Sequence, residues 1–295
     1  MKWRLRLMPE HMGPRAFPFA TKHVETPSGR IACFDEGRGP ALVFVHGLGG
    51  DFTHFEHVAP HFTDRFRVIG VDMPGCGDSH KPRGKVSVRS YATALLDLLT
   101  TLRISTATLV GHSAGGLVCA QAALMAPDRV EQLVLINSAG VRHYTWPVRL
   151  VARVLLRKSV VAAILVLSRD AILKHVFSMH NENTRKFAED NIHRPREATL
   201  SDISKVMQDL LPDLMVSTLA QNAEKLGVPT LMIYGDEDRL VPVSQVRRAA
   251  AKLQWGRLEV LAQCGHMPII EQPQVVVRLL RSFLEPRQVR LEAVP

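Results

Sequence analysis

The chain is predicted to be an α/β protein, with a mostly parallel central sheet flanked by helices and an all-helical cap inserted into it. Three observations carry that expectation. Short runs such as Ala41-Leu42-Val43-Phe44-Val45, Leu133-Val134-Leu135-Ile136 and Leu231-Met232-Ile233-Tyr234 are apolar at every position, as strands buried on both faces are. Segments of helical periodicity separate them. From about residue 144 to 221 the strand-like runs stop and only helical periodicity is left.

In chain order, residues 23–37 read as a hairpin about the turn signal Pro27-Ser28-Gly29. A strand at 41–45 runs into the loop His46-Gly47-Leu48-Gly49-Gly50, and 52–62 reads as a helix. A strand at 68–71 precedes the Gly- and Pro-rich loop Asp72-Met73-Pro74-Gly75-Cys76-Gly77-Asp78-Ser79, where Asp72 is expected to brace neighbouring loops. Residues 87–102 repeat apolar positions at helical spacing through Tyr91, Leu95, Leu98 and Leu99. The strand Thr108-Leu109-Val110 then meets Gly111-His112-Ser113-Ala114-Gly115 and an apolar helix that stops at Pro127. In the helical segment, Arg149, Arg153 and Arg157 fall on one helix face, and residues 160–167 are apolar throughout but too short to span a bilayer. Strands at 231–234 and 258–261, a helix at 244–253 and a closing helix at 274–284 complete the reading. The expected divisions are a basic arm at 1–22, a sheet domain at 23–140 and 227–287, the cap at 141–226 and a tail at 288–295.

Composition excludes several classes. Of 295 residues, 46% are hydrophobic and 22% charged, which suits one large globular domain. The net charge of +9 comes with no recognised nucleic-acid motif, so no nucleic-acid partner is expected. Lys2, Arg4, Arg6, Arg15 and Lys22, mixed with Trp3, Phe17 and Phe19, give the arm a composition suited to peripheral contact with an anionic membrane surface. The cap's apolar surplus would suit the same contact. Cys33, Cys76, Cys119 and Cys264 lie far apart without a C-x-x-C pair. They suit a cytoplasmic protein with reduced thiols, and no metal site is expected. Oligomeric state is not legible.

The strand–Gly111-x-Ser113-x-Gly115–helix order carries the chemistry. A serine on so tight a turn is pushed out above the strand ends, with Gly111 and Gly115 leaving room for the crowded backbone. The N–H of Ala114, at the new helix's start, faces the same place, and the glycine-rich loop lets the N–H of Leu48 approach it; together they suit an oxyanion. A serine hydroxyl needs a base, and a histidine base needs a carboxylate to fix its tautomer. Ser113, Asp238 and His266 each sit in a loop after a strand, and in an open parallel sheet such loops converge on one crevice.

These pieces together resemble the α/β-hydrolase superfamily, of the capped esterase and lipase-like type. They are His46-Gly47-Leu48-Gly49-Gly50, Asp72-x-Pro74-Gly75-x-Gly77-x-Ser79, Gly111-His112-Ser113-Ala114-Gly115-Gly116, Gly235-x-x-Asp238-x-x-x-Pro242 and Gly265-His266. The resemblance implies a cofactor-independent serine hydrolase with Ser113 as nucleophile, His266 as base and Asp238, rather than Asp236, as acid. Some relatives carry the acid after the preceding core strand; here that position offers Asn137 and Ser138, which hold no negative charge. The expected substrate is a fairly apolar acyl ester. The alternatives are a carbon–carbon hydrolase of ring-fission products, against which Met267 stands where a tryptophan is typical, and a ligand receptor on the same scaffold.

Overall fold

The computed structural model describes residues 17–142, 144–148, 150, 160–161, 175–190, 197–216 and 219–285. Its centre is an eight-stranded sheet: β1 (Lys22–Thr26), β2 (Gly29–Glu36), β3 (Ala41–Val45), β4 (Arg67–Val71), β5 (Ala107–His112), β6 (Val130–Ile136), β7 (Thr230–Gly235) and β8 (Gly256–Leu261). The strand order is β1-β2-β4-β3-β5-β6-β7-β8. The first two pairings, β1 with β2 and β2 with β4, are antiparallel, and all the others are parallel.

Side chains alternate across each strand, so the apolar runs feed two separate cores. Val43, Val45, Leu109, Leu133, Leu135 and Met232 face α1 (Val88–Thr101) and α2 (Ala114–Met125) through Leu95, Leu98, Leu99, Leu117 and Val118. Leu42, Phe44, Val110, Val134, Ile136 and Ile233 face the opposite way, onto Phe55, Phe62, Ile269, Val276 and Leu280. Full burial of each such side chain is worth about 1.5–3 kcal/mol. Phe17 and Phe19, assigned from sequence to the basic arm, pack on Phe34 with ring centroids 5.1 Å apart in both cases, and so anchor that end in the second core.

The single helix expected over 52–62 is instead two 3₁₀ turns, Phe52–Phe55 and Ala59–Phe62. Pro60 has no N–H to give to a continuous helix and its ring would collide with the preceding turn. Asp51 opens the first turn by accepting the N–H of Thr53 at 2.9 Å.

Between β6 and β7 the described residues contain helix and no strand: α3 (Glu182–Ala188), α4 (Glu197–Leu214) and α5 (Leu219–Asn222) among them. The proposed face of Arg149, Arg153 and Arg157 lies outside the described residues, as does all of 160–167 except Val160 and Val161. Helix α4 docks on the sheet domain. Asp213 accepts the N–H of Val88 at 2.6 Å and Asp209 that of Val86 at 3.3 Å, while Lys81 pairs with Asp202 at 3.4 Å. Trp146, Val148 and Leu150 are exposed. No helix among the described residues is long and apolar enough to cross a membrane. After β7 come α6 (Val243–Ala250), a short α7 (Pro268–Glu271) and α8 (Pro273–Leu284). All four cysteines are buried and unbridged.

Asp72 takes the bracing position expected of it. Its carboxylate accepts the N–H of Phe52 at 2.8 Å and of Asp78 at 2.9 Å, and Ser79 Oγ donates to its carbonyl at 2.6 Å. Gly77 has φ +46°, and any Cβ there would lie 1.9 Å from Asp72 Oδ2. Burial, reinforced by the charge of Asp51, pushes the Asp72 carboxyl up to about 7, against the pull of the Phe52 and Asp78 N–H groups. The folded chain therefore keeps a proton there that the unfolded chain releases. That contribution to stability is complete below about pH 4 and is lost as the pH rises to about 7. Urea midpoints of wild type and Asp72→Asn should show wild type gaining on the variant as pH falls from 8 to 5. A constant difference would contradict the shift.

Candidate active site

The β5–α2 junction forces Ser113 into a conformation that few L-residues adopt, with φ 53° and ψ −119°. The strain is held by hydrogen bonds on both sides: Ser113 N–H donates to Ile136 O at 2.9 Å, and Ser113 O accepts from Ala139 N–H at 2.9 Å and Gly116 N–H at 3.1 Å. The flanking glycines are steric necessities. A Cβ on Gly111 would lie 2.4 Å from Gly115 O, and one on Gly115 would lie 2.2 Å from Val45 O.

Above that turn three side chains meet in series. His266 Nε2 lies 2.9 Å from Ser113 Oγ, and His266 Nδ1 lies 2.8 Å from Asp238 Oδ2. A carboxylate can only accept, so Nδ1 carries the hydrogen and Nε2 presents its lone pair to the serine hydroxyl. Asp238 is buried, which by itself would raise its pKa. Hydrogen bonds from His266, Asn137 and Val241, with the attraction of the imidazole, outweigh burial and hold the carboxyl below its ordinary range. Its other oxygen accepts the N–H groups of Leu240 at 2.8 Å and Val241 at 2.9 Å. Asp236, the rival in the same loop, accepts the N–H of Cys264 at 3.3 Å instead.

Three neighbours escaped the sequence reading as parts of the site. Asn137, at φ 42° after β6, donates through Nδ2 to Asp238 Oδ2 at 2.6 Å and to Gly265 O at 3.1 Å. The sequence offered only its lack of charge. His112 donates from Nε2 to the carbonyl of His266 at 2.9 Å, with its Nδ1 buried and unpartnered. Burial and the proximity of His266 push its pKa down to about 3, so it is neutral. Glu271, 3% exposed, holds both flanks of His266, as Gly265 and Met267 N–H each donate to it at 3.1 Å.

The His46–Gly50 loop forms the facing wall. His46 donates from Nδ1 to Gly47 O at 2.7 Å and accepts the Met73 N–H on Nε2 at 3.0 Å, which fixes a neutral ring, and burial lowers its pKa. Gly47 is required because a Cβ there would meet His112 Nδ1 at 2.9 Å and Ser113 Cβ at 3.1 Å. Leu48 and Ala114 line one small pocket together with Met73, Cys76, Tyr91, Val118, Val206 and Leu210. Ala114 is the first residue of α2, so its N–H has no partner one turn back in the helix. The pocket wall carries no charged side chain among the described residues. Arg142, outside that wall, stacks on the Tyr144 ring at 5.1 Å and donates to Leu240 O at 3.3 Å.

Comparison with known proteins agrees with this scaffold. The chain is 28% identical over 270 residues to the 2-hydroxy-6-oxo-2,4-heptadienoate hydrolase of Pseudomonas putida, covering 85% of this chain and 91% of the relative. It is 29% identical over 265 residues to the pimeloyl-[acyl-carrier protein] methyl ester esterase of Photobacterium profundum, covering 85% and 96%. The structure of a thermophilic esterase from Thermogutta terrifontis superposes with a TM-score of 0.75 at 23% identity, covering 90% of this chain and 98% of that one. The family model described as alpha/beta hydrolase fold matches residues 40–273, and the chain belongs to that family of hydrolases.

Proposed function

We propose that the protein is a serine hydrolase that cleaves a carboxylic ester with a fairly apolar acyl group, through an acyl-enzyme. The observation that carries this reading is the unbroken chain Ser113 Oγ–His266–Asp238, at 2.9 and 2.8 Å, beside an apolar pocket. Ser113 Oγ attacks the ester carbonyl as its proton passes to His266 Nε2, and Asp238 stabilises the imidazolium. The N–H groups of Leu48 and Ala114 hold the oxyanion. The tetrahedral intermediate collapses, His266 gives its proton to the departing alkoxide, and an alcohol leaves. Water then repeats the sequence on the acyl-serine and releases a carboxylic acid.

In this reading residues 141–226 are the cap, and Val206 and Leu210 of α4 close the acyl pocket. The test is a panel of acyl esters of graded chain length, read together with fluorophosphonate labelling. Turnover of the panel with labelling at Ser113 is expected. Labelling without turnover would point to a receptor, and no labelling would end the proposal. Leu210 is 1% exposed, so Leu210→Ala should cost about 2–5 kcal/mol of stability. It should also raise the ratio of kcat/KM for eight-carbon over four-carbon acyl esters by about tenfold, the scale on which a hydrophobic pocket reads a methylene. An unchanged ratio would mean that the acyl group binds elsewhere.

The second reading, carbon–carbon hydrolysis, is favoured by the Pseudomonas putida relative. A vinylogous diketone acid turned over faster than every ester would establish it.

A further inference from the structure

Four backbone N–H groups from two separate stretches of chain converge on the buried carboxylate of Glu271. Gly265 donates to Oε2 at 3.0 Å and Met267 to Oε1 at 3.1 Å, from either side of His266. Ser178 and Met179, on the stretch that leads into α3, donate to Oε2 at 2.8 and 2.9 Å. The same two stretches also touch directly. His266 N–H donates to Val176 O at 2.7 Å. A Cβ on Gly265 would lie 2.6 Å from Val176 O and 2.7 Å from Ser178 N, so only glycine lets the backbones come this close. Asn181 Nδ2 adds a bond to Glu271 O at 3.0 Å, and Ser178 Oγ donates to Glu237, the neighbour of Asp238.

None of this is needed to build the sheet, and none of it touches a reacting atom. A buried carboxylate is costly unless hydrogen-bonded, and here the bonds that compensate it are divided between residues 176–179 and the loop that carries His266. We propose that Glu271 is a positioning residue: its carboxylate latches the helical segment's 176–179 stretch to both flanks of His266, so that the two hold one register and loosen together. The inference rests on His266 being the base of the serine hydrolase reading. Its physical content is a coupling between the segment over the site and the imbalance-sensitive placement of one imidazole, where a shift of about 1 Å costs about 10²-fold in rate.

The test compares Glu271→Gln and Glu271→Asp with wild type, by kcat and KM per fluorophosphonate-titrated site well below the unfolding temperature, and by hydrogen exchange. Gln keeps the shape but replaces one acceptor oxygen with a donor that faces N–H groups; Asp keeps the carboxylate on a shorter stem. Glu271→Gln should lower kcat by 10- to 100-fold, on the scale of such misplacement, with KM changed by about threefold or less. Amide exchange should rise together at 176–179 and 265–267 while β5 and β6 stay protected. Glu271→Asp should recover at least about fivefold of the lost kcat, because acceptor chemistry and not volume sets the latch. A kcat within about twofold of wild type in both variants, exchange rising in one stretch alone, or Gln matching or outperforming Asp would overturn the proposal. If Glu271→Gln does not fold, Glu271→Asp carries the test by exchange: a paired rise at 176–179 and 265–267 supports the latch, and a rise in one stretch alone or in neither ends it. Wild type that neither labels nor turns over would sink the hydrolase reading instead, and the exchange arms would still report on the latch.

Discussion

Ser113→Ala is expected to lower kcat by about 10⁴- to 10⁶-fold while the protein stays folded, since members of such a triad act as a unit. The hydroxyl's partner is His266 Nε2 at 2.9 Å, and removing it frees a lone pair that water can satisfy. The backbone should not notice. Ser113 sits at φ 53°, and alanine carries the same Cβ into the same left-handed region, so the strain is unchanged. Ser113→Gly makes the contrast. It removes the same hydroxyl but also relieves the Cβ penalty, so it should be equally inactive and about 1 kcal/mol more stable than Ser113→Ala. The measurements are ester turnover, fluorophosphonate labelling and thermal unfolding of the three proteins. Turnover within tenfold of wild type in Ser113→Ala would show that another group makes the attack.

The elbow was legible because its cause is local. Gly111 and Gly115 are dictated by backbone atoms within a few residues and on the adjoining β3 strand, and a strand–glycine–serine–glycine–helix order reports that crowding directly. The strands were legible for a similar reason: burial on both faces leaves no polar position to blur the run, as in β3 and β7. The two 3₁₀ turns at Phe52–Phe55 and Ala59–Phe62 were not legible, because their aromatic spacing imitates a helix and only Pro60 interrupts it. Asn137, His112 and Glu271 were not legible as parts of the site. Their partners lie 101, 154 and up to 93 positions away, and nothing in an asparagine, a histidine or a glutamate announces which distant backbone it will meet. The four-residue α7 that carries Glu271 is too short to show a period at all.

Asp238→Asn should cost about 10⁴-fold in kcat, by way of a tautomer rather than a lost contact. Asp238 Oδ1 accepts two N–H groups, from Leu240 and Val241, so an amide at 238 keeps its oxygen there. Its NH₂ then occupies the place of Oδ2, facing His266 Nδ1, which has to accept. The imidazole hydrogen moves to Nε2 and points at Ser113, and the ring can no longer take the serine proton. The same NH₂ also confronts the Asn137 NH₂ across a contact of 2.6 Å, donor against donor, so stability should fall by about 1–3 kcal/mol as well. Adding Asn137→Asp separates the two effects. The exchange restores a donor–acceptor pair between 137 and 238 but turns a carboxylate oxygen toward Gly265 O, so the urea midpoint should return only part of the way to wild type. It leaves an NH₂ facing Nδ1, so kcat should stay about 10⁴-fold down. A double variant whose kcat recovers to within about 100-fold of wild type would mean that a carboxylate at 137 reaches His266 by itself. The ring would then be held in the Nδ1–H tautomer by a carboxylate at the end of β6 in place of the one after β7.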